Sequence, residues 1–120
     1  MKNKYIAILD YQAGNIRSVQ KALETCGVRA VVTHSVDQIR HASALVFPGQ
    51  GANDSSMKNL RKYGLVNPIL DFISVGKPFL GICLGLQLLL DGSDEGVEPG
   101  LGVLPGRVHR LPDERKIPHI

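Results

Sequence analysis

The stretch "PFLGICLGLQLLLDG", residues 78–92, sets a cysteine between two glycines where an apolar run gives way to a helical pattern. "KPFLGI" (77–82) suits a buried strand and the residues from about 84 to 91 suit a helix. Cys83 therefore falls on the turn between them. Whether it is a packing residue or a nucleophile depends on what stands before it in the chain.

Upstream, short apolar runs alternate with helical patterns. "KYIAILD" (4–10) reads as a strand, and "NIRSVQKALETCG" (15–27) places Ile16, Val19, Ala22, Leu23 and Cys26 at helical spacing with Gly27 as its stop. "RAVVTH" (29–34) is a second strand, "SVDQIRHA" (35–42) a short helix capped by Ser35, and "SALVFPG" (43–49) a third strand ending in a turn. After a loop, a helix is expected from about 60 to 75, interrupted early by Gly64 and Pro68. The tail from 96 to 120 carries four of the seven prolines; it suits two short strands, near 101–104 and 107–111, and no further helix. Alternation of this kind predicts an α/β fold, a parallel sheet with helices on both faces and right-handed crossovers. Sites in such sheets lie at the carboxyl ends of the strands. Here those ends are the glycine-containing loops "DYQAGN", "PGQGAND" and "GICLG".

Composition narrows the possibilities. A chain of 120 residues suits one domain with one modest core. Hydrophobic residues at 43% and charged residues at 21% are ordinary globular values. The net charge of +3 is spread along the chain, and three Tyr and three Phe offer little stacking surface, so no nucleic-acid partner is expected. Asp10 cuts the first apolar run far short of a signal-peptide core, and the apolar region 79–90 is too short to span a bilayer. The expectation is a cytoplasmic chain with no membrane partner. Two cysteines without a secretion signal argue against a disulfide, no Cys/His spacing suggests a metal, and nothing calls for a cofactor.

Gly81 and Gly85 permit a sharp strand-to-helix turn that exposes the side chain between them, as at the nucleophile elbow of G-x-S-x-G hydrolases. A thiol there meets the positive end of a helix dipole, which favours thiolate. The Leu84 N–H would face an oxyanion formed by attack at Cys83. With 13 glycines in 120 residues, chance brackets about one cysteine in a hundred this way. The competing reading is a small buried hydrophobe, the usual place of a free cysteine. "FPGQGAN" (47–53) adds a second glycine loop whose backbone N–H groups are little obstructed, as a second oxyanion donor requires. Two such loops ending neighbouring strands favour an acyl-transfer site over two plain turns.

These residues carry a resemblance. "GICLGLQLL" (81–89) resembles the nucleophile motif of class I glutamine amidotransferases, which hydrolyse glutamine through a cysteinyl thioester and release ammonia. "DYQAGNIRSV" (10–19), "FPGQGAN", "SDEG" (93–96), "GLGVLPGRV" (100–108) and "KIPHI" (116–120) are similar, in order and spacing, to one branch: the glutaminase subunit of imidazole glycerol phosphate synthase in histidine biosynthesis. The resemblance implies a flavodoxin-like fold, incomplete at the C-terminus, with residues 1–120 forming the N-terminal part of a single amidotransferase domain. It implies glutamine as substrate and the cyclase subunit as partner.

Carried over, it makes Cys83 the nucleophile and Leu84 one oxyanion donor, with Gly49, Gln50 and Gly51 supplying the other and Gly51 also touching glutamine. Gln87 and Glu95 would hold the substrate's polar groups, although from sequence alone Gln87 is equally a polar helix residue and Glu95 a solvated loop acid. Asn15 would lie at the cyclase interface; otherwise it is a helix N-cap. Gln50 stands where the family commonly has a small apolar residue. The family's general base and its orienting carboxylate, a His-x-Glu pair, would follow beyond residue 120. His34, His41, His109 and His119 each read as structural rather than as a substitute base. The 120 residues alone are therefore expected to be inactive. The alternatives are a non-catalytic half-domain that binds a partner, and another cysteine hydrolase of the same fold. Peptidase-like relatives of that kind usually place His soon after the elbow, where this chain has Leu84 following Cys83.

Overall fold

The computed structural model describes residues 4–12 and 16–112. Four strands, β1 (Ile6–Leu9), β2 (Ala30–Thr33), β3 (Ala44–Phe47) and β4 (Phe79–Gly81), form an all-parallel sheet in the order β2-β1-β3-β4. The returns between strands run through α1 (Ile16–Thr25), α2 (Val36–His41) and the pair α3 (Asn53–Lys62) and α4 (Val66–Ser74). Strand order reverses between β1 and β3, so the loops leaving β1, β3 and β4 share one rim.

Register decides which residues meet which helix. Val32, Ile8, Val46 and Leu80 form one row across the sheet, and Val31, Ala7, Leu45 and Phe79 form the next, on the opposite face. The second face carries the main core: Ala7, Leu9, Leu45 and Phe47 pack with Ile39, Leu60, Ile69, Phe72 and Leu88 from the later helices. On the first face Ile8, Ala30 and Val46 meet only Ile16, Val19 and Leu23 of α1 among the described helices, and α1 has no fully buried residue. The α/β class with helices on both faces is as expected, but the two faces are unequally covered. No described helix is long and apolar enough to cross a membrane.

Local signals explain most boundaries. Ser35 caps α2 through its hydroxyl, which accepts from the Gln38 N–H at 3.4 Å, and Gly27 ends the first crossover helix at a φ of +86°.

Three expectations differ from the structure. The single helix from 60 to 75 is two helices: α3 begins at Asn53, Gly64 at a φ of +67° breaks the chain, and Pro68 sits in the first turn of α4, where no N–H is needed. The helix expected over 84–91 is short, α5 (Leu84–Gln87), because its last carbonyls are claimed by the tail. Leu101, Leu104 and Gly102 donate to Leu88, Leu89 and Leu90 at 2.7, 2.9 and 3.1 Å. Residues 101–104 consequently form no strand. The remaining tail strand does form, as β6 (Arg107–Val108), pairing in parallel with β5 (Gly92–Ser93).

The row across the first face yields a stability contrast. Ile8→Ala, at a fully buried position, should cost about 2–5 kcal/mol in urea unfolding. Leu80→Ala, in the same row beyond Val46 but 53% exposed, should cost under about 0.5 kcal/mol.

Candidate active site

Cys83 occupies the N-cap of α5 with φ +54° and ψ −122°. Side chains rarely adopt this region, and holding one there costs on the order of 1–3 kcal/mol. The cause lies on either side. Ile82 still makes a sheet bond, its N–H donating to the Phe47 carbonyl at 2.9 Å, while the Cys83 carbonyl already accepts helical bonds from Leu86 and Gln87 at 3.0 and 3.2 Å. The whole reversal from strand to helix thus falls on one residue.

Gly85 is a steric necessity and Gly81 is tightly approached. A Cβ at Gly85 would run into the Phe47 carbonyl oxygen, and one at Gly81 would lie 3.1 Å from the Leu86 Cα. The first turn of α5 consequently rests directly on the ends of β3 and β4. Cys83 is exposed at this turn, so it is not the small buried hydrophobe that the spacing alone left open.

The loop after β3 faces the same turn. The Leu84 N–H, expected to be free for an oxyanion, donates to the Gly49 carbonyl at 3.3 Å. In a planar trans peptide C=O and N–H point oppositely, so the Gln50 N–H is aimed away from Leu84. Gly49 is tightly enclosed: a Cβ there would collide with the Tyr11 hydroxyl and lie 3.0 Å from both Gly85 N and Leu84 Cβ. Tyr11 is fully buried, packs its ring 5.3 Å from that of Phe47, and donates its hydroxyl to the Pro48 carbonyl. Desolvation pushes its ionisation well above the ordinary tyrosine range. Beyond Gly49 the loop opens out, with Gln50 and Gly51 exposed and Gly51 at a φ of +97°.

Gln87 lies one turn beyond Cys83, exposed. Glu95 is exposed on a loop whose own N–H donates to the Ser93 hydroxyl at 3.1 Å. That loop is tied to the start of α3. The Asp54 carboxylate accepts from the Val97 and Glu98 N–H groups at 3.0 and 2.9 Å, Asn53 Nδ2 donates to the Glu98 carbonyl at 3.3 Å, and Arg61 pairs with Glu98 at 2.8 Å. Since Asp54 follows Gly51 by three residues, it couples the Glu95 loop to the loop facing Cys83. Sequence reasoning missed Tyr11 and Asp54. The signal available was their place in the rim loops, an aromatic next to Asp10 and an acid in the first turn after "PGQGAN".

The described histidines are engaged elsewhere. His34 ends β2, three strand spacings from β4, about 14 Å, and stacks on Tyr63 at 4.9 Å. His41 Nδ1 lies 2.8 Å from the Asp37 carbonyl, at the opposite end of the sheet. His109 Nδ1 meets the Asp94 carboxylate, which His109 and Arg107 hold below the usual carboxylate range. Asn15, His119 and "KIPHI" lie outside the described residues. No group of three or more potential metal-ligating side chains occurs among the described residues.

Comparison with known proteins can now be set beside this geometry. The model of the SNO glutamine amidotransferase family matches residues 8–117. The chain belongs to that family. Among curated relatives, it is 50% identical over 117 residues to the imidazole glycerol phosphate synthase subunit hisH of Cyanophora paradoxa, covering 96% of this chain and 54% of that protein. It is 52% identical over 118 residues to the subunit HisH of Rhodopirellula baltica, covering 96% and 58%. The chain thus spans little more than half the length of these relatives. A crystal structure of a glutamine amidotransferase superposes with a TM-score of 0.70 at 24% identity, over 93% of this chain and 59% of that one. A peptidase E-like protein from Listeria monocytogenes superposes with a TM-score of 0.63 at 17% identity, over 74% and 50%. These two likenesses show the fold, and family membership rests on the sequence.

The coupling through Asp54 has a pH signature. Backbone hydrogen bonds from Val97 and then Glu98 hold its carboxyl below the ordinary value of 3.8. A depressed carboxyl stabilises the folded loop above that ordinary value and loses the effect as pH falls through the lower folded one. The amide resonances of Val97 and Glu98 should therefore titrate together with a midpoint below 3.8, a transition that Asp54→Asn should abolish.

Proposed function

We propose that this chain is the glutamine-binding, nucleophile-bearing part of a glutaminase that supplies ammonia to the cyclase subunit of imidazole glycerol phosphate synthase. The observation that carries the reading is Cys83, exposed at a positive φ on a helix start opposite a glycine loop. The names of the 50–52% identical relatives support the branch.

In this reading glutamine lies across the rim with its carboxamide carbon over the Cys83 sulfur. Gln87 and Glu95 hold its polar groups, with Glu95 suited to the α-ammonium, and Gly51 contacts it from the loop after β3. The Cys83 thiolate attacks the carboxamide carbon and the carbonyl becomes an oxyanion. Collapse with proton delivery to nitrogen expels ammonia and leaves a thioester; water then releases glutamate. The oxyanion needs two N–H donors. Leu84 is one, but its N–H is taken by the Gly49 carbonyl. Rotating the Gly49–Gln50 peptide by about half a turn removes that carbonyl and presents the Gln50 N–H in its place. Tyr11, bonded to Pro48, and Gly51, already at a positive φ, bracket the peptide that turns. The resting geometry is thus a blocked oxyanion site, and substrate or partner binding would open it. Asn15, carried over from the resemblance, would lie at the cyclase interface.

A second reading, a partner-binding half-domain without turnover, is favoured by one observation. His34, His41 and His109 are each engaged away from Cys83. A thiolate lacking a general acid and base forgoes about 10²- to 10⁴-fold in rate.

Incubation with a glutamine-like chloroketone, followed by peptide mapping, separates these ideas from a misassigned nucleophile. Both cysteines are exposed, so access alone does not bias the result. Adduct should form at Cys83, be slowed by excess glutamine and vanish in Cys83→Ala. Preferential labelling of Cys26 would refute the assignment. Glutaminase assays of the chain alone and with cyclase, beside Cys83→Ala, then distinguish a slow enzyme from a binding module.

A further inference from the structure

The end of the sheet opposite Cys83 carries a recess of its own. Continuing the strand register by one residue toward the amino ends aligns Arg29, Tyr5 and Ser43 in a single row, with Tyr5 in the middle. Backbone bonds hold that row: the Ile6 N–H donates to the Arg29 carbonyl and the Ser43 N–H to the Tyr5 carbonyl, both at 2.9 Å. Around it lies a cavity of about 330 Å³ whose lining includes Lys4, Tyr5, Ile6, Val28, Arg29 and Ser43. Such a volume accommodates a small organic molecule. Tyr5 is fixed in place, its hydroxyl donating to the Gln38 carbonyl at 2.6 Å and its side chain packing against the main core.

Charge identifies what the recess would take. Its lining holds two cations and no acid. The Arg29 guanidinium stands 5.8 Å from the centroid of the Tyr5 ring, and neither it nor Lys4 forms an ion pair with a described residue. A guanidinium held over a ring keeps its N–H edge for an oxyanion, which it grips through two parallel bonds, while a lysine adds a compact charge on a flexible stem. The exposed Ser43 hydroxyl adds a neutral donor. Two positive charges side by side favour a dianion, and Ile6, Val28 and the edge of Tyr5 offer apolar contact to whatever carries it. We propose that this recess binds a small phosphate monoester with an apolar or aromatic body. It lies at the amino ends of the strands, away from the rim that holds Cys83, so the inference does not depend on the glutaminase reading.

The test titrates phenyl phosphate, inorganic phosphate and phenol separately into the 120-residue chain and follows the backbone amides by NMR. Phenyl phosphate should give saturable shifts centred on residues 4–6, 27–29 and 43, and should bind about tenfold or more tightly than either inorganic phosphate or phenol. Arg29→Gln should weaken it by about tenfold or more. Arg29→Lys should fall between, because it keeps the charge and loses the fork. Lys58→Gln, on α3, should leave binding unchanged. Arg29 and Lys58 are both exposed, so none of these changes disturbs the core. Equal binding of phenyl phosphate and inorganic phosphate would mean a general anion patch and overturn the inference. So would shifts centred elsewhere, an absence of saturable shifts, or an affinity indifferent to Arg29→Gln.

Discussion

The backbone contact between Gly85 and the Phe47 carbonyl fixes most of what matters in this molecule. No side chain fits at that point, so the first turn of α5 can lie against the ends of β3 and β4. Because Ile82 remains in the sheet and Leu84 is already helical, the change of direction is confined to Cys83. Its backbone is driven into a region that favours glycine, and its side chain is left facing solvent. The same contact brings the Gly49 carbonyl within reach of the Leu84 N–H. The position of the Cys83 thiol, its backbone strain and the engagement of the Leu84 N–H are thus three results of one packing event.

The surrounding rim is held by the hydrogen bonds of Tyr11 and Asp54. Tyr11, buried and bonded to Pro48, fills the space behind Gly49 and sets where the loop after β3 leaves the sheet. Asp54, at the start of α3, gathers the amides of Val97 and Glu98 and so ties the Glu95 loop to the same place. Such ties matter because both loops are irregular and α5 is only four residues long. Without them little would position Glu95 relative to Cys83.

Much of this was legible in the sequence, for identifiable reasons. β1 to β4 and the first two helices announce themselves because their core residues are apolar at the spacings that strands and helices require. α3 did not, because its buried face is Asn53, Ser56, Met57 and Leu60, helically spaced but half polar. The early end of α5 was hidden because it depends on residues 101–104, whose N–H groups take its carbonyls from a dozen or more positions away. At the site, Cys83 and the glycine loops were visible as motifs. The engagement of the Leu84 N–H was not, since a peptide's orientation leaves no trace in residue identity.

The central claim is that Cys83 is held in a conformation that a side chain resists. Comparing the unfolding free energies of Cys83→Gly and Cys83→Ala tests it directly, because both remove the sulfur and only glycine relieves the backbone. Glycine in an ordinary helical or extended position is the less stable of the two by about 0.5–1 kcal/mol. The account predicts the reverse order, with Cys83→Gly more stable by on the order of 1 kcal/mol. An alanine variant equal to or more stable than the glycine variant would contradict it.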